Sequence, residues 1–477
     1  MSTEETPLLA EGHTPLDHSR VYDRFSPSKK RVILAMVSCS GVIPLFVSGV
    51  FIPAIPQIAR DLLTTPEVAS LTITTSYVGA SLGSMVMATY SGFYGRRPIY
   101  LVGLPFFCLG SYQIAVTQNI YHLIAWRFIQ NVGISASISL GAGVIGDVYK
   151  LEERGFPLGF FFGASLIGPA IAPVSGGIMA HYASWRMLQW GFLLYGLIIL
   201  TSMALWLPET SHPGTLGIEQ AEYHHHQQQG DGSTQRRKWR WVWLNPFSCL
   251  GLLRSPNLVL VIATSALVLL TEFVLLVPLA YTIGAEYGIV NEALIGAVFI
   301  PCGVGNMVGA PLAGYVSDRV IIAHRAKRGG EWCPEDRLRG ALFSAATFVP
   351  LSVLFIGLTV EFIPGRTGLL LCLVWLFMNG VGIHLVLSPL AVYNIDIMQS
   401  RSTEIIAAYT GTRGMFISLL IPCILPSISH FGVVATNAAA ALVAWAGFGT
   451  LVVIIRYGGQ LRAWKDIGYT TADSENI

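Results

Sequence analysis

The stretch YSGFYGRRPIY, Tyr90–Tyr100, closes one long apolar run and opens another, with Arg96 and Arg97 in the gap. The flanking runs, about 69–90 and 98–117, have the length that spans a hydrocarbon core of roughly 30 Å. The whole chain follows this pattern. Of its 477 residues 53% are hydrophobic and only 12% charged, whereas a soluble domain carries about 25% charged residues. Mean hydropathy is +0.59. A soluble protein would have to hide this apolar surface in a core; here it is divided into membrane-length pieces.

Twelve such runs can be counted, at about 31–52, 69–90, 98–117, 120–147, 156–180, 187–207, 257–282, 292–316, 340–361, 367–390, 403–428 and 432–455. None alternates with period two, so an all-α polytopic membrane protein is expected rather than a barrel. Lysine and arginine set the orientation. With the N-terminus inside, cytoplasmic segments hold 24 of the 29, and the opposite orientation inverts that bias. Both termini are therefore expected in the cytoplasm. Met1–Ser28 is polar and the first apolar run exceeds an h-region, so no cleavable signal peptide is expected. The seven cysteines show no paired spacing, and neither a disulfide framework nor a metal site is indicated.

The segment from Pro208 to Asn245 departs from its surroundings, with HHHQQQ (His224–Gln229), then GDGS and RRKWR. Low complexity of this kind marks a solvated linker and divides the spans six and six. The expected organisation is a cytoplasmic tail (1–28), a six-helix bundle (29–207), a linker (208–250), a second six-helix bundle (251–456) and a C-terminal tail (457–477). A shift of 226 residues places Gly79 on Gly305, Gly83 on Gly309, Ser91 on Ser317 and Gly92 on Asp318, as an internal repeat of a transporter would.

Several motifs fall in register with these spans: FIPAIPQIARDL after the first, RFIQNVG (Arg127–Gly133) and GDVYKLEERG (Gly146–Gly155) about the fourth, and GASLIGPAIAPVSGG (Gly163–Gly177) in the fifth. SWR and LPET frame the sixth, and CPEDRL (Cys333–Leu338) precedes the ninth. In these the chain resembles the major facilitator superfamily over nearly its whole length, most of all the fungal twelve-span drug:proton antiporters. The resemblance implies two pseudo-symmetric six-helix bundles, alternating access, and export of a small organic compound (drug, toxin or secondary metabolite) by proton antiport.

Gly168, Pro169, Pro173, Gly176 and Gly177 crowd the fifth span. Small residues allow close helix packing and proline bends a helix. The resemblance makes this the antiporter-type helix on the seam between the halves; a generic small-residue packing face is the alternative. Charges within hydrocarbon cost several kcal/mol and are functional candidates. Arg127 lies roughly 12 Å and Glu272 roughly 15 Å below the outer ends of their spans. They share a depth and belong to opposite halves. Glu272 is read as the group that carries the coupling proton or meets a cationic substrate; a static partner of Arg127, or a wet rim position, is the alternative. Arg127 matches the arginine that the resemblance ties to proton coupling. Arg413, also mid-span, either binds an anionic moiety or pairs with Glu272, with a purely structural pairing as the alternative. His384 and Asn379 are read as helix contacts, and Tyr77, Phe161, Phe162, Trp375 and Tyr409 are candidate cavity-lining aromatics.

On the cytoplasmic face the family carries an acid four residues after a glycine, followed by basic residues, which the resemblance makes an inner gate. A carboxylate at a helix N-terminus meets a partial positive charge. The second half keeps this pattern in Gly314, Asp318 and Arg319. The first half has Gly92 in place of the acid but retains Arg96 and Arg97, with Asp147, Glu152 and Arg154 completing the cluster. Ser402, Thr403 and Glu404 stand where the missing acid would cap the eleventh span, so that span is expected to be capped in cis.

No GxxxxGK[ST] or HExxH sequence occurs, which argues against ATP-driven pumping and enzymatic activity. Proton-coupled uptake and a non-transporting sensor are the alternatives to export. No cofactor is expected beyond a proton gradient as energy source, no nucleic acid, and a functional monomer in the lipid bilayer. The plasma membrane is the default site, while EETPLL (Glu4–Leu9) resembles a dileucine signal for a vacuolar or endosomal membrane.

Overall fold

The computed structural model describes residues 22–150, 153, 155–212, 216–219, 242–331, 333–398 and 402–465. His224–Gln229, the RRKWR stretch, both distal tails, Glu152 and Arg154 lie outside these. Among the described residues there is no strand. The first half holds α1 (Pro27–Val50), α2 (Pro66–Tyr94), α3 (Arg96–Val116), α4 (Ile120–Val148), α5 (Gly155–Tyr182) and α6 (Trp185–Trp206). The second holds α7 (Pro256–Leu276), α8 (Glu292–Lys327), α9 (Leu342–Phe362) and α10 (Gly365–Ile397). It ends with α11 and α12, the two parts of Ser402–Trp464 divided at Gly432, whose φ of 81° no continuing helix adopts.

Capping explains several boundaries. Ser26 accepts from Lys29 N–H to start α1, Thr65 from Val68 to start α2, and Ser255 from Leu258 to start α7, each followed by proline in the first turn. The helices α7 and α8 differ most from the apolar runs. The helix α7 stops at Leu276, where Pro278 follows and the chain turns through Tyr281. The helix α8 continues to Lys327, well beyond the apolar run, through Arg319, His324 and Arg325. Hydropathy reports the bilayer, and a helix that leaves it can keep its backbone bonds in water. The helix α12 likewise continues to Trp464, past the expected end of the second bundle at 456.

The arginines mark one end of the molecule, with Arg96, Arg97, Arg337 and Arg339 at helix ends there and Arg319 in the last turns of α8; Arg60 and Arg186 lie at the opposite end. At that opposite end a single apolar cluster joins both halves, including Val47, Phe51 and Ile58 with Phe273, Val277 and Val298. Toward the arginine-rich end the core divides. One cluster, around Tyr100, Leu140, Val144 and Phe161, belongs to the first half; another, around Leu258, Val261, Tyr393 and Ile405, belongs to the second apart from Met85. The halves are thus closed together at one end and separately packed at the other.

Candidate functional site

Midway along the bundle four polar side chains from both halves converge. Tyr77 of α2 meets Phe273 of α7 edge to face at 5.0 Å across the interface between the halves. The charges of Glu272, Arg413 and Arg127 all act on the Tyr77 hydroxyl. Glu272 is half-buried, as are Tyr77, His384 and Arg413. Its carboxylate accepts from Asn306 Nδ2 at 3.0 Å and from the Cys302 thiol at 3.6 Å, both on α8. Among the described residues it has no basic partner. A carboxylate in hydrocarbon that is held by neutral donors can take up a proton without breaking an ion pair.

Arg127 is fully buried. Its Nη1 donates to Gln130 Oε1 at 2.9 Å, and both terminal nitrogens approach the Val47 carbonyl at 3.5 and 3.4 Å. That carbonyl lies in the last turn of α1, where acceptors have no intrahelical donor and a cation is favoured. The Phe51 ring lies 4.0 Å below the guanidinium. Gln130 passes the network on to Ser111 and Gln189, so Arg127 ties α1 to α3, α4 and α6. Among the described residues the Arg127 Nε has no hydrogen-bond partner. Arg413 donates to the Tyr409 hydroxyl at 3.3 Å and lies 5.0 Å from that ring; it has no ion pair among the described residues. The charges of Arg127, Glu272 and Arg413 thus meet at Tyr77, and no ion pair joins the acid to either arginine.

Of the other sequence candidates, Tyr409 is buried beside Arg413, and His384 feels the Arg413 charge. Asn379 donates to Ser352 at 2.9 Å and is a contact between helices. Phe161 fills the space beside Gly41 and Gly141 in the first-half core, Phe162 is exposed, and Trp375 stacks on Phe355 at 4.8 Å. These three do not reach the central group.

The helix α5 runs along the seam. A Cβ on Gly176 would overlap the Val50 carbonyl of α1, and one on Gly177 would overlap the Glu292 carbonyl of α8. A Cβ on Gly168 would come within 3.0 Å of Phe46 N, again on α1. Pro169 and Pro173 are both inside the helix, and the Pro173 carbonyl would stand 2.5 Å from a Cβ on Gly296 of α8. Missing side chains here bring three backbones together and close this end. Toward the arginine-rich end of α5, nothing lies within 4 Å of a Cβ at Gly159 or Gly163.

At the arginine-rich end each half contains the same small cluster. Arg96 binds Asp147 at 3.2 Å and Ser91 Oγ at 2.7 Å. In the second half Arg337 binds Asp396 at 2.7 Å and Ser317 Oγ at 3.4 Å. Burial of Asp147 and Asp396 is matched in each case by an arginine of the same half. Asp318 is 69% exposed, and among the described residues its contact is a 3.5 Å approach to Arg337. Arg319 lies over the Tyr315 ring at 4.6 Å, and among the described residues nothing beyond the local backbone comes within 4 Å of a Cβ at Gly314 or Gly92. Glu404 is exposed in the first turn of α11 and its charge reaches Cys249. The side chains of Ser402 and Thr403 fall outside what is described.

Four participants escaped the sequence reading. Glu209, from the LPET motif, accepts from Arg96 N–H at 3.0 Å and Arg97 N–H at 3.1 Å, besides Thr210 and Ser211. It caps α3 from the end of α6. Gly95 makes room for it: its φ is 103°, and a Cβ there would lie 2.5 Å from the carboxylate. Arg337 and Asp396 rebuild in the second half what Arg96 and Asp147 build in the first, but from different sequence distances. Asn306 supports Glu272. The one usable signal was the acid in LPET, directly after a span.

A family model described as Major Facilitator Superfamily matches residues 37–422. The chain is 26% identical over 472 residues to efflux pump radE of Floropilus chiversii, covering 96% of this chain and 86% of that protein. It is 26% identical over 489 residues to MFS-type transporter oryF of Aspergillus oryzae, covering 96% and 97%. With citrate exporter 1 of Aspergillus niger it shares 28% over 305 residues, 62% of this chain and 58% of that one. A structure of the xylose transporter XylE from E. coli, in a partially occluded inward open conformation, overlays with a TM-score of 0.63 at 14% identity, covering 93% of this chain and 99% of that one. With ten helices among the described residues long and apolar enough to cross a membrane, two halves closed together at one end, and a family match across most of its length, the chain belongs to the Major Facilitator Superfamily of membrane transporters.

Proposed function

We propose that this transporter exports a small organic compound by proton antiport, with Glu272 as the coupling group. The observation that carries the reading is the half-buried Glu272 carboxylate, mid-membrane, held by Asn306 and Cys302 with no basic partner among the described residues. Such a group can alternate between a proton and a substrate cation, or change charge as the halves rock. Arg127 and Arg413 set the field around it and belong to opposite halves. The arginine-rich end is assigned to the cytoplasm by the distribution of lysine and arginine. In the conformation described, the bundle is then closed toward the outside, and the arginine-rich end is where substrate would enter. Relatives named as an efflux pump and a citrate exporter support the outward direction. The plasma membrane is the proposed site and a monomer the proposed unit.

The test is metabolite retention in a strain lacking the gene, complemented by the wild-type chain or by Glu272→Gln. Wild type should clear the retained compound, faster as the outer medium is acidified. The Gln variant should retain it as the empty strain does, although correctly inserted. Export by Glu272→Gln with unchanged pH dependence would sink the assignment, and acid-driven accumulation in wild type would make the protein an importer.

A further inference from the structure

Above the α5–α8 seam the two halves are also joined by charge. Glu292, at the start of α8, is 11% exposed at its side chain. It receives Arg60 Nη2 on Oε1 at 2.5 Å and His181 Nδ1 on Oε2 at 3.0 Å. Arg60 belongs to the short helix Ile55–Asp61 after α1, and His181 to the last turn of α5. One acid of the second half is therefore gripped by two bases of the first.

We propose that His181 is a second proton site, separate from Glu272, whose protonation latches the halves together at this end. Imidazole changes charge between pH 5 and 8, and no other side chain does so ordinarily. With His181 neutral, the carboxylate is matched by Arg60 alone. With His181 charged, each carboxylate oxygen faces its own cation. The second pair exists only while α5 and α8 are together, because Gly177 and Gly296 hold them in backbone contact below it. Protonation and closure must then favour each other, by linkage.

The surrounding charges do not replace this role. Asp61 is engaged by Arg186 at 3.2 Å and by the Trp185 indole at 3.1 Å. Glu67 acts on Tyr281, as does Arg60. The neighbouring Tyr182 ring meets His181 edge to face at 4.8 Å and adds no charge. From α1, Gln57 holds the Ala180 carbonyl at 2.8 Å, which fixes the last turn of α5. If this end faces outside, as the export reading has it, external acid closes the emptied carrier and starts its return. The latch itself does not depend on that assignment.

The experiment is hydrogen exchange of the full chain in nanodiscs at pH 5.0 and 7.5, corrected for the intrinsic rate. Peptides covering 46–62, 174–182 and 290–300 should exchange roughly fivefold or more slowly at pH 5.0, the lower range of allosteric couplings. Peptides 90–100 at the opposite end should not slow in parallel, which separates closure at this end from a general stabilisation of the fold. His181→Gln should abolish the pH difference, and His181→Lys should give slow exchange at both pH values. Glu292→Gln should be fast at both. A wild type with no pH difference, or a His181→Gln protein that keeps one, would overturn the latch. Because no substrate or flux is involved, loss of proton antiport in the Glu272 test leaves this result standing.

Discussion

Glu209 accepts four backbone N–H bonds, two of them from the uncapped first turn of α3. Helix N-termini leave four such donors, and a carboxylate there also meets the positive end of the dipole. Loss of a cap costs about 0.5–2 kcal/mol, more so here because the donors are partly buried. Glu209→Ala should therefore lower the melting temperature measurably, whereas Glu209→Gln, which still offers one acceptor oxygen, should lose less. Equal melting of Glu209→Ala and wild type would refute the capping role. The residue shows where reading the sequence stops. A missing acid at Gly92 was legible, and its search for a substitute looked along the chain to the start of α11. The acid found at this end of the first half caps a different helix, and it arrives from 113 residues away. Spacing along the chain carries no such information. By contrast Arg127, Glu272 and Arg413 were legible because a charge within an apolar run is conspicuous. Their lack of mutual ion pairs was not, since depth says nothing about azimuth on a helix.

The helix α5 shows the same division between what a run of residues announces and what packing decides. Its glycines and prolines signalled close contact, and the structure assigns each face: Gly168 and Gly176 to α1, Gly177 to α8. A large side chain at 177 has no room, because the obstacle is the Glu292 backbone and not the end of a flexible side chain. Gly177→Leu should accordingly force α5 from α8 and favour the conformation open at this end. Hydrogen exchange in 290–300 should rise by at least an order of magnitude if the displaced conformer becomes dominant, and export should fall with it. Gly163→Leu, which meets open space in this conformation, should leave that exchange unchanged. If both variants behave alike, the glycines serve general packing and the seam has no special role. Among the described residues the long helices follow the apolar runs except in their ends. The helix α8 overran its apolar run because solvated Arg319, His324, Arg325 and Lys327 continue a helix as readily as apolar residues do. The turn after α7 was hidden because Val277–Ala280 is apolar although Pro278 breaks the helix.

At the scale of the molecule, the two halves are more alike at the arginine-rich end than their sequences suggest, and one of their differences bears on closure. Ser91–Arg96–Asp147 and Ser317–Arg337–Asp396 are equivalent clusters. The shift of 226 residues aligns the serines but misses Arg337, because α8 extends and returns before α9 while α2 turns directly into α3. Each cluster is internal to its half and should contribute to folding. The inequality is Gly92 against Asp318, and neither makes a strong contact with the other half in this conformation. Stability and transport should therefore separate. Asp396→Asn removes the 2.7 Å partner of a mostly buried arginine, and breaking such a pair costs several kcal/mol, up to about 3–5 where burial is complete. It should lower the melting temperature clearly. Asp318→Asn removes an exposed contact of the kind that contributes about 0–1 kcal/mol, and the protein should melt nearly as wild type does. Its effect should appear in transport if, as the resemblance implies, Asp318 meets a helix N-terminus when the arginine-rich end closes. Gly92→Asp has open space around it and should change neither stability nor export by as much. Measured together, melting should rank Asp396→Asn below the other two, and export should rank Asp318→Asn below Gly92→Asp. Asp318→Asn and Gly92→Asp proteins with equal export would mean that closure at this end draws on the paired clusters and owes nothing to the acid that only the second half retains.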